Sequence, residues 1–424
     1  AAGVFVLWKP LQSLLAEQNM TTLYETVEFP LCAVLARMER EGIAVDRMAL
    51  LAFGNLLTER INALTEQIYD MAGETFNINS TQQLGVILFE KLGLPPVKKT
   101  KTGYSTNAEV LEKLKNKHPI IEAIMDYRMV TKLNSTYAEG LVKVIGDDER
   151  IHTTFQNMVT ATGRLSSTEP NLQNIPVRTE LGSEIRKMFV PKDGCVLIDA
   201  DYSQIELRVL AHIANDQIMQ EAFRSGEDVH RVTASQVFGV APEDVTSLMR
   251  RHAKAVNFGI VYGISDFSLA DDIGVTRKEA KAYIESYLEK YAGVRQYMHD
   301  VVEQAKADGY VTTLMGRRRY LPELKSKNFN LRSFGERCAM NTPIQGTAAD
   351  IIKLAMIRVD AALAKQYPQA RLVLQVHDEL IVECPLDQAD DVKQLVEREM
   401  EQVMELRVPL LAEAKSGASW YEAK

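Results

Sequence analysis

Residues 373–383 read VLQVHDELIVE. Two apolar, alternating runs are broken by His377, Asp378 and Glu379, residue types that form strands poorly and are poorly buried. The pattern predicts a β-hairpin with an acidic tip. A second acidic stretch, VLIDADYSQIELR, covers residues 196–208. Val196, Leu197 and Ile198 predict a strand, Asp199 and Asp201 alternate onto one face of it, and Asp201 falls at its end. A carboxylate at a strand end commonly caps the helix that follows, and either acidic site alone is open to that reading. Together they allow another. If the Asp201 strand lies beside the Asp378 hairpin, two carboxylates meet at a sheet edge and can hold a pair of divalent cations, as in-line phosphoryl transfer requires.

Bulk properties fit an ordinary globular chain large enough for two or three cores: 424 residues, 46% hydrophobic and 25% charged. Cys32, Cys195, Cys338 and Cys384 are widely separated and match no metal-ligand spacing, which predicts reduced thiols in a cytoplasmic setting. There is no leader pattern and no apolar run near the ~20 residues of a membrane span, so no membrane association is expected. The formal net charge of -8 argues mildly against a nucleic-acid partner. Positive charge is nevertheless clumped in PVKKTKTGYS (96–105) and MGRRRYLP (315–322), each with a tyrosine; solvated faces look the same. Helical periodicity dominates residues 25–145, the character changes near 150, helices return over 216–330, and 331–424 hold a helix, the hairpin and a final helix before a short tail. The first 24 residues fit no clear pattern.

No GxxxxGK[ST] loop is present, so a nucleotide would have to be held by side chains. In RRHAKAVNFGIVYGIS (250–265) Arg250, Lys254 and Phe258 fall at i+4 steps, with Tyr262 drifting to the edge of the stripe. Cation, cation, aromatic is the order needed to grip a triphosphate and cover a base; an amphipathic helix with a basic end has the same pattern. In ERCAMNTPIQGTAAD (336–350) Arg337, Asn341 and Gln345 repeat the i+4 spacing, and Pro343 should bend the helix. Their donors suit minor-groove acceptors or, equally, hydrogen bonds between helices in a core. The same two readings apply to Arg164 and Asn174 in ATGRLSSTEPNLQNIP.

TATGRLSS, DYSQIELR, the R-x3-K-x3-F-x3-YG helix and QVHDEL, in this order, resemble the polymerase domain of family A DNA polymerases of the bacterial polymerase I type. The resemblance runs from about residue 25 to SWYEAK. It implies an α+β right-hand fold with an antiparallel-sheet palm and mostly helical thumb and fingers. Residues 1–24 would be a residual upstream segment, 25–149 the thumb, 150–207 and 332–424 the palm, and 208–331 the fingers. By this resemblance Asp201 and Asp378 are catalytic and, with the Tyr202 carbonyl, hold two Mg2+, with Mn2+ able to substitute; Glu379 is an auxiliary carboxylate. His230, Arg250 and Lys254 hold the incoming dNTP, Phe258 stacks on it, Tyr262 vacates the template-base pocket, and Gln204 and Glu206 line the nascent pair. Glu206 crowds the 2' carbon of the sugar. Lys98, Lys99, Lys101, Arg164, Asn174, Arg178, Arg337, Asn341, Gln345 and His377 contact primer-template DNA.

The implied activity is DNA-templated addition of dNTPs to a primer 3' end with release of pyrophosphate, by a monomer in the bacterial cytoplasm near the nucleoid. Upstream nuclease domains of the family are built on clustered carboxylates. The first aspartate here is Asp46, preceded only by scattered glutamates, so neither proofreading nor 5' nuclease activity is expected of this chain. The alternatives are a single-chain RNA polymerase, against which Glu206 speaks, a metal-dependent nuclease, which needs no Arg250–Lys254–Phe258 stripe, and a catalytically inert primer-template-binding subunit, against which intact Asp201 and Asp378 speak.

Overall fold

Asp46 begins the first long helix. Its side chain accepts a hydrogen bond from Ala49 N at 2.9 Å, and Gly73, with φ 72°, closes the same helix, α1 (Arg47–Ala72). Between these caps Leu50, Phe53, Leu57, Leu64 and Ile68 return at three- and four-residue steps and are all buried. They pack against α2 (Pro119–Leu133), whose Ile120, Ile124, Tyr127 and Val130 form the facing stripe. The computed structural model describes residues 2–100, 103–176 and 179–424.

A four-stranded antiparallel sheet lies beyond this helical part. Its strands are β1 (Cys195–Tyr202), β2 (Arg371–Val376), β3 (Glu379–Pro385) and β4 (Ala412–Gly417), in the spatial order β2-β3-β1-β4. β2 and β3 form the expected hairpin, with His377 and Asp378 at its tip. The two strands are buried almost throughout. Tyr202 points to the sheet face covered by α7 (Ala389–Glu401), where its hydroxyl donates to Met400 O at 2.7 Å. Asp199 and Asp201 alternate onto the other face, where Asp199 meets Trp420, which is fully buried and stacks edge-on against Phe189, while Asp201 is exposed.

Three elements depart from the sequence reading. Residues 2–17 are helical, with Val4, Phe5 and Val6 largely exposed. A short hairpin, Tyr310–Thr312 with Arg318–Tyr320, interrupts the region read as helical. Strand β4 was not expected at all: AEAKSG has little β propensity, and only its backbone pairing to β1 makes it a strand.

The remaining helices that matter for the site are α3 (Ile205–Ile213), α4 (Val229–Phe238), α5 (Ser247–Val261) and α6 (Phe329–Gln366). Helix α6 runs through Pro343 without ending there. A buried charge network ties it to the amino-terminal segment. Glu28 accepts from Arg317 and from Lys353 Nζ at 2.8 Å, while Asp350 accepts from Arg317 Nε at 2.8 Å and Thr313 Oγ1 at 2.6 Å. Among the described residues, no helix is long and apolar enough to cross a membrane.

Candidate active site

Antiparallel pairing of β3 with β1 sets Glu379 directly opposite Asp201, and the Tyr202 amide donates to the carbonyl of Asp378 at 3.2 Å. The end of one strand is thereby fastened to the tip of the hairpin. Asp201 is not the cap of the next helix: Gln204 occupies that position, with φ 54° and no side-chain capping bond. His377, beside Asp378, also has a positive φ, 52°. A non-glycine residue held there costs about 1–2 kcal/mol, so both turns flanking the carboxylates are held by their surroundings. Gln375 Nε2 donates to His377 O, and Gln173 Nε2 donates to Gln375 Oε1 at 3.0 Å, bracing the tip from outside the sheet.

The acidic groups differ in their neighbours. Among the described residues, neither the Asp201 nor the Asp378 carboxylate has a hydrogen-bond or salt-bridge partner. Burial pushes Asp378 up to about 7, with Glu206 and Asp201 adding repulsion. Burial raises Asp201 as well, against the pull of Lys424. Asp199 accepts from Trp420 Nε1 at 3.2 Å and is raised by burial to about 6. Glu379 is bonded to Lys424 and lies 3.7 Å from Arg186, whose guanidinium stands 4.0 Å from the Trp420 ring. Glu413, on the unexpected strand, sits opposite Asp201 from the other side.

These donors fit a hard divalent cation. Asp378 is half-buried and Asp201 faces solvent; two neighbouring carboxylates without partners repel each other, and their charge is what an oxygen-seeking cation would neutralise. Among the described residues, no group of three or more His, Cys, Asp or Glu forms a metal cage. Few protein ligands suit magnesium, which keeps much of its water.

Glu206 connects this acidic edge to the neighbouring helices. It is buried, pairs with Arg164, and accepts from Tyr262 Oη at 3.2 Å. Gly163, with φ +82°, lets the Arg164 loop pass over Arg317: a Cβ at this position would lie 2.5 Å from Arg317 Nε. Tyr262 ends α5, which carries Arg250, Lys254 and Phe258 as expected. Lys254 Nζ lies 6.0 Å from the Phe258 ring centre, and the His230 ring is 5.8 Å from the same ring. Burial lowers His230 to about 4, so its imidazole is neutral near pH 7. Arg250 Nε donates to Asp228 Oδ2 at 2.6 Å, and Asp228 Oδ1 caps α4 by accepting from His230 N at 2.9 Å.

Along α6, Gln345 approaches Tyr262, and Arg337 Nη1 donates to Ser333 Oγ at 3.1 Å. Asn341 Nδ2 donates to Val261 O at 3.1 Å, which for this residue is the helix-to-helix contact of the plainer reading. Asn174 and His377 line a cleft of about 690 Å³ together with Lys132, Tyr137 and Gln173, and Tyr137 donates to Asn174 O. Lys98 and Lys99 are exposed on a separate small hairpin, where Lys99 Nζ lies 5.5 Å from the Tyr104 ring. Lys101 and Arg178 lie outside the described residues.

A family model described as DNA polymerase family A matches residues 47–422. The chain belongs to this family. Among its family A relatives, DNA polymerase I of Bacillus subtilis (strain 168) is 56% identical over 426 residues, covering 100% of this chain and 48% of the relative. DNA polymerase I of Geobacillus stearothermophilus is 55% identical, with 100% and 49% covered. The chain thus spans about half the length of the curated relatives it matches. The solved polymerase domain of Pol1 from M. smegmatis, in complex with DNA primer-template and dNTP, superposes with a TM-score of 0.95 at 44% identity, covering 100% of this chain and 75% of that one. The α+β polymerase fold expected from the motifs is the fold of this family A domain.

Sequence reasoning missed several residues that hold the site. Asp228 was legible as an acid just before a helix, an N-cap signature. Gln173, Arg186 and Lys424 carry no such signal, because each reaches the site only through long-range packing.

Proposed function

We propose that this chain is a DNA-templated DNA polymerase that extends a primer 3' end with dNTPs and releases pyrophosphate. One observation carries the reading. The pairing of β1 with β3 sets two carboxylates that have no partner among the described residues, the half-buried Asp378 and the solvent-facing Asp201, beside each other in a family A domain. In this reading they and the Tyr202 carbonyl hold two Mg2+, with Mn2+ as a substitute. When bound, such ions lower the pKa of an attacking hydroxyl and offset charge on the leaving phosphate oxygens.

Each of the chain's own groups then has a task. Arg250, Lys254 and His230 hold the triphosphate, and Phe258 covers base and sugar. Glu206 borders the sugar of the incoming nucleotide, Gln204 lines the nascent pair, and Glu379 supports the acidic edge through its contacts with Arg186 and Lys424. Tyr262, bonded to Glu206, fills the place a template base would take, and leaves it when α5 turns. His377, Arg164, Asn174, Arg178, Arg337 and Gln345 face primer-template, and Lys98, Lys99 and Lys101 meet the duplex further away. Residues 25–149 act as the thumb, 150–207 and 332–424 as the palm and 208–331 as the fingers of a monomer.

Primer extension on a DNA template, with magnesium and dNTPs, tests this. Extension should depend on the template, disappear in Asp378→Ala and fail with rNTPs. A folded chain that binds primer-template but adds nothing with either metal would instead be a DNA-binding subunit without activity.

A further inference from the structure

His230 is tied into a buried polar chain that the proposed reaction does not itself use. Its Nδ1 lies 3.0 Å from Asn257 Nδ2. Asn257 is fully buried, and Thr233 Oγ1 lies 3.2 Å from its Oδ1 and 3.0 Å from its Nδ2. Thr233, also fully buried, is 3.1 Å from Tyr291 Oη. Four side chains from α4, α5 and residue 291 therefore form one line of hydrogen bonds with no charged member.

The direction of that line follows from its far end. Tyr291 is 1% exposed, and burial pushes its phenol up to about 12, so the hydroxyl keeps its proton. Among the described residues, Thr233 is the only partner of that hydroxyl, so the phenol proton goes to Thr233 Oγ1. The Thr233 proton is then free for Asn257 Oδ1, and the Asn257 amide turns an N–H toward His230 Nδ1. A neutral imidazole that accepts at Nδ1 carries its proton on Nε2. Among the described residues Nε2 has no partner, and Lys254 and Arg250 are close enough to affect the ring's charge.

We infer that Thr233, Asn257 and Tyr291 are positioning residues that set the tautomer of His230, so that its neutral ring offers an Nε2–H donor to a triphosphate oxygen. The purpose assigned to that donor rests on the polymerase reading; the tautomer does not. The opposite tautomer would aim a lone pair at the phosphate and repel it. A neutral donor adds a directed hydrogen bond beside two cations without adding a third charge that Arg250 and Lys254 would disfavour.

The test uses the free chain labelled with nitrogen-15 in its seven histidines, with the His230 signals assigned by their loss in His230→Gln. At pH 7 the wild-type ring should be neutral and protonated at Nε2; protonation at Nδ1, or at both nitrogens, overturns the inference. Thr233→Val removes the link between Tyr291 and Asn257 while keeping the shape. It should mix the tautomers and weaken dATP binding, measured by calorimetry, about tenfold, as expected when one hydrogen bond to a charged group is lost. Thr233→Ser should restore both. A mixed tautomer with unchanged dATP affinity would overturn the positioning role and leave the polymerase reading intact. Loss of templated extension by the wild-type chain would strike the polymerase reading without touching the spectrum.

Discussion

Glu28→Gln should destabilise the fold by about 3 kcal/mol, and the structure supplies the reason. Lys353 is 1% exposed, and among the described residues its ammonium bonds only to Glu28, at 2.8 Å. Removing one member of a buried pair costs about 3–5 kcal/mol, because the other charge is left in a medium that cannot solvate it. The glutamine oxygen still accepts one bond, and Glu28 itself is 19% exposed, so about 3 kcal/mol, at the lower end, applies. Lys353→Met in the same chain removes the stranded charge and should recover most of the loss. Burial alone would raise the Glu28 carboxyl, but Lys353 and Arg317 together pull it below its ordinary 4.5. A lowered folded pKa means the contribution is complete above 4.5 and fades as pH falls through the folded value. The gap between wild type and Glu28→Gln should close in that acidic window. Asp350 has the opposite sign: burial raises its pKa despite Arg317, so Asp350→Asn should cost less than Glu28→Gln. Urea unfolding midpoints at unchanged slope measure all four chains. A Glu28→Gln loss under about 1 kcal/mol, or no recovery in the double variant, would refute the reasoning.

Glu206→Ala should raise ribonucleotide incorporation by roughly ten- to two-hundredfold, the range over which shape excludes one small group; an unchanged ratio of rNTP to dNTP kcat/KM would count against Glu206 bordering the sugar. Phe258→Tyr should relax discrimination against dideoxynucleotides in a chain-termination assay, and no relaxation would count against the placement of α5 on the incoming nucleotide. Tyr202→Phe leaves Met400 O without its 2.7 Å partner in a buried site and should lower stability by about 1–2 kcal/mol, read from the same urea midpoints.

Local chemistry was enough for much of this protein. The Asp378 hairpin, the strand entering Asp201 and the stripe of Arg250, Lys254 and Phe258 are each encoded within a dozen residues, where strand alternation and the helical repeat decide which side chains share a face. Even Asp228, missed as part of the site, had a capping signature in the chain. What periodicity could not decide is which faces meet. Strand β4 exists only because β1 offers it a backbone partner, and it brings Glu413 opposite Asp201 although its own residues favour no strand. Asn341 shows the same limit: its spacing fitted a groove-facing donor, and packing gave its amide to Val261 O. Arg186, Gln173 and Lys424 come from distant segments to the Asp201–Asp378 edge, and Tyr291 reaches His230 through two intervening side chains. Sequence determined most of the elements, though not strand β4, and the chemical groups they carry, since those follow from neighbouring residues. Tertiary structure alone decided their partners, burial and protonation, because these depend on contacts between residues up to hundreds of positions apart.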